Sequence, residues 1–334
     1  MTFDPADTRV TRRGALTVAG ATLFGSAGCL GLLDSDPPAA YHTPAAEAFD
    51  GVVDAAWLAD HLDDVILLDV RDEDDFADAR IPGARHYPQG ELLTEHVSET
   101  ADGFEADLEY LVWLLEDAGI DPDDDVVVYG QEANLWETYA VYTLRAIGHQ
   151  GTVALLDGGF SVWDAANEDT TGARPDVDGT TYDPALQFDE IATRDFVAEH
   201  VTQTEATTPI IDMRSSEEYW GTEPTDGVER HGHVTGAINV DFRQSIDDEA
   251  GRLRSPDELE ALWFDTAGLS RDETVIPYCL TAIRASVGWF LLTELGVEDV
   301  RNYEGSWMDW GNLSDEDGYY YTSGEDSGTV VDAY

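Results

Sequence analysis

The stretch ILLDVRDEDDFADARIPGARHYP at 66–88 returns in altered form as IIDMRSSEEYWGTEPTDGVERHGHVTGAINV at 210–240. Each opens on an apolar run of β type and passes through Asp-x-Arg and an acidic turn with an aromatic residue. Each then closes on a Pro-Gly-Ala or Thr-Gly-Ala turn into another strand. DVVVYGQEANLWETYAVYTLRAIG (125–148) and ETVIPYCLTAIRASVGWFLLTELG (273–296) form a second matched pair, LLDGGFSVW and NYEGSWMDW a third. Three matches in one order make the chain a duplication, in which each copy is one structural unit.

Within each copy, continuous apolar runs at 65–69, 126–129, 210–212 and 275–278 read as buried strands. They alternate with helix-period segments at 104–118, 135–147, 256–267 and 285–295; Ser255 is placed to cap the third, and Pro256 suits its first turn. Buried strands alternating with helices predict an α/β fold in which each unit is a parallel sheet flanked by helices. The segment 166–184, rich in Gly, Pro, Thr and Asp, marks the boundary. The expected organisation is a first domain at 51–167, a linker at 168–190, a second domain at 191–314 and an acidic C-terminal tail at 315–334.

Charge narrows the setting. Seventy Asp and Glu stand against seventeen basic residues, all arginine, for a net charge of −53. Such self-repulsion destabilises a compact state, but at molar salt the Debye length falls to about 3 Å and the repulsion is screened. The acidic residues are spread over every segment, which points to a protein of an extreme halophile. No basic patch exists to neutralise phosphates, so nucleic acid is not an expected partner.

The first residues read as an address. TRRGALTVAGATLFGSAGC places Arg12 and Arg13 ahead of an apolar stretch too short to span a bilayer, the layout of an export signal at 1–28. The twin arginines resemble a signal for folded cargo, and Ser26-Ala27-Gly28-Cys29 resembles a lipobox, with Ser26 where leucine is more usual. Cys29 is then the expected lipidation site, 29–50 a flexible tether, and the outer face of the cell membrane the expected location. If Cys29 carries lipid, Cys279 has no disulfide partner and stays a free thiol.

Cys279 stands between a strand ending at Tyr278 and a helix beginning near Arg284. That arrangement aims backbone N–H groups and a helix N-terminus at one point, where a thiolate is favoured and anions bind. A buried inert cysteine is the plainer reading of a lone thiol. The first copy has Gly130 at the equivalent place, with no nucleophile near it in sequence.

These motifs carry a resemblance. Asp212-Met213-Arg214, Glu218-Tyr219-Trp220-Gly221, Gly232-His233-Val234-Thr235-Gly236-Ala237, Cys279 to Arg284 and Tyr303-Glu304-Gly305-Ser306-Trp307 fall in the order of the tandem rhodanese-type sulfurtransferases. The likeness runs from 51 to 313, with Thr235 for a usual proline and with Glu304 and Asp309 swapping the acids normally seen. It implies two rhodanese-like domains, the first inactive and the second catalytic. It further implies a Cys279 persulfide that moves sulfane sulfur from thiosulfate to cyanide or a thiol, without metal or organic cofactor. Arg214, Arg284 and the loop residues Leu280, Thr281, Ala282 and Ile283 are the expected substrate contacts, and a monomer is expected. His233, Tyr278 and Trp307 are read as structural.

The same residues bear on three alternatives. In the 3-mercaptopyruvate branch of the family the loop resembles C-G-S-G-V and an arginine stands where this chain has Glu218; Leu280, Thr281 and Glu218 therefore favour thiosulfate. Cysteine-dependent phosphatases and arsenate reductases place five residues between cysteine and arginine, whereas four separate Cys279 from Arg284. A lipid-anchored binding module without catalysis requires no role for Cys279 at all.

Overall fold

The computed structural model describes residues 43–88, 104–131, 135–166 and 169–334. The expected signal, the expected lipidation site Cys29 and most of the expected tether lie outside them. Residues 43–50 do not belong to a tether. Thr43 caps a short helix, Pro44–Ala48, by accepting the Ala46 N–H at 3.1 Å, and Ala45 and Phe49 are buried in the core.

The first sheet has the order Val52–Val53, Val153–Leu156, Val126–Tyr129, Ile66–Asp69, Arg85–His86, and every pairing is parallel. The second has Asp299–Val300, Thr274–Tyr278, Ile210–Asp212, Ile238–Asn239, Thr329–Val330, again all parallel. The order is the same on four equivalent strands, as the duplication requires. Val126–Tyr129 is buried along its whole length, and in Thr274–Tyr278 only Thr274 keeps some exposure, which is why both read as unbroken apolar runs.

Helices Leu135–Ala146 and Ala285–Glu294, which follow the inner strands Val126–Tyr129 and Thr274–Tyr278, pack against one another and join the halves. Tyr142 meets Trp289 edge to face at 5.0 Å between centroids. Arg145 reaches Glu294 at 3.3 Å, and Glu294 also accepts the Gly51 N–H at 2.9 Å. Both helices are apolar around most of their circumference because each lies between a sheet and the other helix.

Three expectations are corrected. The segment 315–334 is not an acidic tail: Tyr321–Thr322 pairs with His233–Val234, and Thr329–Val330 forms the outer strand of the second sheet beside Ile238–Asn239. The segment after 168 is more than a linker. It is laid on the first domain through the Arg80–Thr171 bridge, the Thr180 N–H bond to the Glu116 carbonyl at 3.1 Å and the buried Tyr182. The predicted helix 256–267 is α-helical only over Pro256–Glu260 and continues as a wider π turn over Ala261–Thr266.

Candidate active site

Asp-x-Arg builds the same local network in both halves. In the second, the Asp212 carboxylate accepts hydrogen bonds from the Arg214 amide (3.0 Å), from its Nε (2.9 Å) and Nη2 (2.6 Å), and from the Tyr278 hydroxyl (2.5 Å). Arg214 Nη2 also donates to the Gly232 carbonyl, and the Tyr278 oxygen accepts the Val234 N–H at 3.1 Å. In the first, Asp69 is held likewise by Arg71 and by Tyr129 at 2.7 Å, with Ala79 and Ile81 in the places of Gly232 and Val234. A short reach of two residues at a strand end closes the pair, and the tyrosine arrives from the neighbouring strand because Tyr278 is in register with Asp212.

Arg214 is therefore placed differently from the sequence expectation. It is fully buried, its charge is matched by Asp212, and its guanidinium lies 4.8 Å from the centroid of the Trp307 ring. The same network persists in the half with no cysteine, which marks it as a device of the fold. His233 is structural as expected, stacked on Tyr219 at 3.6 Å with Nδ1 bonded to the Tyr219 carbonyl.

The loop from Cys279 to Arg284 leaves the carboxyl end of the inner strand Thr274–Tyr278, and open α/β sheets bind ligands at such strand ends. Cys279 is a free thiol with 1% of its surface exposed. The loop turns sharply at Ala282, whose φ of 66° is left-handed. Ser306 holds it from below. Its hydroxyl accepts the N–H groups of Cys279 (3.2 Å) and Ala282 (2.9 Å) and donates to the Tyr303 carbonyl (2.8 Å). The Trp307 and Met308 amides grip the carbonyls of Cys279 and Leu280 at 3.0 and 2.9 Å, and Asn302 donates to the Ala282 carbonyl.

What remains of the loop is a set of donors without acceptors. Among the described residues the N–H groups of Leu280, Thr281, Ile283, Arg284 and Ala285 meet no acceptor, whereas those of Cys279 and Ala282 are taken by Ser306. Five free amides at the start of helix Ala285–Glu294 form a nest for negative charge. Leu280, Thr281 and Arg284 are half-buried, Ala282 and Ile283 buried. The four loop residues named from sequence are thus gathered around Cys279, chiefly through their backbones.

Arg284 ends the loop, and its side chain makes a two-point ion pair with Glu218 at 2.6 and 2.9 Å. Burial acts to lower the guanidinium pKa, but hydrogen bonding to Glu218 and the charges of Cys279 and Glu218 hold it above the ordinary arginine value. For Glu218 burial acts upward, and Arg284 prevails, keeping the carboxyl below the usual range. The sequence gives Ser306 no role in the site and uses Glu218 only as a departure that favours thiosulfate. The signal for Ser306 was present: the first copy has Gly159 at its place, with the same left-handed backbone, φ 54° against 48°.

In the first half Gly130 occupies the cysteine position, and the Phe160 and Ser161 amides grip the carbonyls of Gly130 and Gln131 as in the second half. The buried Glu137 carboxylate fills the space a side chain at 130 would need. Among the described residues no group of three or more His, Cys, Asp or Glu side chains is gathered to hold a metal ion. A polar groove of about 530 Å³ lined by Ser215, Asp241, Arg243, Arg254 and Tyr334 among others includes no residue of the 279–284 loop.

Residues 54–166 and 193–313 each match the rhodanese-like domain. The chain is similar to a putative thiosulfate sulfurtransferase of Haloferax volcanii, 33% identical over 285 residues that cover 80% of this chain and 95% of that protein. It is also similar to a thiosulfate sulfurtransferase of Corynebacterium glutamicum, 34% identical over 286 residues, 81% of this chain and 91% of that one. Its fold resembles that of Escherichia coli SseA, described as a 3-mercaptopyruvate sulfotransferase, with a TM-score of 0.62 at 24% identity over 76% of this chain and 97% of that chain.

Proposed function

The chain belongs to the rhodanese-like domain family, with one such domain in each half, and from that footing we propose that it is a sulfurtransferase carrying its sulfur on Cys279. The observation that carries the reading is the free thiol at the head of a loop with five unpartnered amides. A thiolate there attacks the outer sulfur of thiosulfate, the sulfur–sulfur bond breaks, and sulfite leaves with the bonding pair. The product is a Cys279 persulfide whose terminal charge the amides can hold. Cyanide or a thiolate then attacks that terminal sulfur, and the Cys279 thiolate departs to restart the cycle. Arg284 ends the loop and adds to the amides only the charge that its pairing with Glu218 leaves.

Thiosulfate is favoured as donor over 3-mercaptopyruvate because Glu218 stands where the 3-mercaptopyruvate branch has an arginine for the donor, and because Leu280 and Thr281 depart from that branch's loop. The test is the intact mass of the protein after thiosulfate without reductant. One added sulfur with release of sulfite, both absent in Cys279→Ser, is expected; an unchanged wild-type mass overturns the reading.

Two further readings rest on the sequence. The net charge of −53 without lysine supports a working medium of high salt, and dilution toward 0.1 M, where the Debye length is about 10 Å, should lower the unfolding temperature steeply. Arg12, Arg13 and Cys29 support export as a folded, lipid-anchored enzyme. Cys29→Ser should move activity from membrane to medium or leave uncleaved precursor, and replacing both arginines should retain it in the cytosol. Wild-type activity confined to the cytosolic fraction counts against this placement.

A further inference from the structure

The duplication supplies an internal control: contacts shared by both halves maintain the fold, and contacts confined to the cysteine-bearing half belong to its chemistry. The Asp-x-Arg-Tyr network is shared. The Arg284–Glu218 pair is not, because the first half has Trp136 and Asp75 at the matching places. We propose that Glu218 is a positioning residue that balances the charge of Arg284 and thereby sets the reactivity of Cys279 and the charge of donor the second domain accepts. This rests on the sulfurtransferase reading and adds to it the residue that tunes it.

The geometry is specific. Glu218 sits on the short helix Ser216–Trp220, two residues beyond the buried Asp212–Arg214 pair. Its carboxylate is fixed from its own helix by the Ser215 amide at 3.2 Å and the Ser215 hydroxyl at 3.3 Å, while the Ser215 oxygen accepts the Glu218 N–H. From the other side Arg284 donates both terminal nitrogens. The side chain has little freedom left.

The consequence is electrostatic. Two arginines flank the loop, and each is matched by one carboxylate, Arg214 by Asp212 and Arg284 by Glu218. The attraction left for an incoming anion comes chiefly from backbone amides. A carboxylate-to-amide change at Glu218 keeps an acceptor for Arg284 and removes the countercharge. Arg284 then acts on the loop with its full charge, favouring the thiolate and anionic donors together.

The expected result for Glu218→Gln is a midpoint of Cys279 alkylation by iodoacetamide displaced by about one pH unit toward acid, equivalent to about tenfold in thiolate population. KM for thiosulfate should fall several-fold, with a larger change in KM than in kcat, and use of 3-mercaptopyruvate should rise. Glu218→Asp keeps the charge and should hold the alkylation midpoint near wild type; it also serves if the glutamine variant fails to fold. A midpoint and KM unchanged in folded Glu218→Gln overturn the proposal, as does an aspartate variant displaced by about one pH unit toward acid. Failure of the sulfurtransferase reading shows separately, as wild-type protein that gains no sulfur from thiosulfate.

Discussion

Thr138 and Ser286 occupy the same position in the two halves, and their hydroxyl oxygens lie 2.9 Å apart across the helix–helix contact. Equivalent residues that touch place the contact on a local two-fold axis, the isologous arrangement of a symmetric dimer within one chain. Each hydroxyl also has the carbonyl three residues before it in reach, Leu135 at 3.1 Å and Ile283 at 2.7 Å. Each oxygen carries a single hydrogen, so the shared contact and the two carbonyls compete for two protons.

That competition gives the first prediction. Thr138→Val and Ser286→Ala should each lower unfolding stability by about 1–2 kcal/mol through the buried polar group left behind. The double variant should cost clearly less than the sum, because the shared contact is lost only once. Urea unfolding of the four proteins measures the coupling, and strict additivity would show that the hydroxyls act independently.

Ser306→Gly isolates one hydroxyl. Glycine accepts the left-handed backbone at 306 without strain, as Gly159 does in the first half. What it removes is the acceptor for the Cys279 and Ala282 amides, each costing about 1–3 kcal/mol when left buried and unpaired. Lower stability is expected, with loading of sulfur from thiosulfate slowed about tenfold or more at 1.4 kcal/mol of lost loop organisation. Loading and stability both equal to wild type would show that the loop holds its shape without Ser306.

Gly130→Cys should not create a second sulfur carrier. Its side chain meets the Glu137 carboxylate, and the first-half loop has no arginine at the place of Arg284. Intact mass after thiosulfate should show one added sulfur per chain, with reduced stability. Two added sulfurs would refute the assignment of the first half as structural.

Acid sensitivity follows from two buried imidazoles. Burial lowers the pKa values of His149 and His233, outweighing the hydrogen bonds to the Asp124 and Tyr219 carbonyls that act upward. In the unfolded chain both return to about 6.5. The unfolded state therefore binds more protons in the acid range, so this contribution is complete above about pH 6.5 and is lost as pH falls through the folded values. A His149→Gln, His233→Gln double variant should show a shallower loss of stability between pH 7.5 and 5.5 than wild type; equal slopes would exclude these groups as the cause.

Much of this was legible in the sequence because burial writes itself as periodicity. The four central strands and the helices 104–118, 135–147 and 285–295 appear within a residue or so of their expected bounds, and Cys279 heads the loop that the apolar run and following helix define. Strands of two residues, such as Val52–Val53 and Thr329–Val330, leave no such pattern, and the second of these hides among acidic residues. Arg214 was harder for another reason. A lone arginine after a strand suits a ligand as well as a neighbour, and only the repeat of Asp-x-Arg in a half without cysteine separates the two. Glu218 was noted as a departure from a relative's arginine, yet its engagement with Arg284, 66 residues away, needs the fold.

The outer strand Thr329–Val330 lies beyond residue 313, where the family match ends. The unit defined by ancestry is thus smaller than the unit that seals itself. A fragment trimmed to the matched residues would leave the backbone of Ile238–Asn239 open along one side, an adhesive margin able to recruit strands from other molecules. Salt screens the repulsion between molecules of net charge −53, so that hazard would grow with ionic strength. The C-terminal segment therefore serves as a hem, guarding solubility where electrostatic repulsion has been screened away.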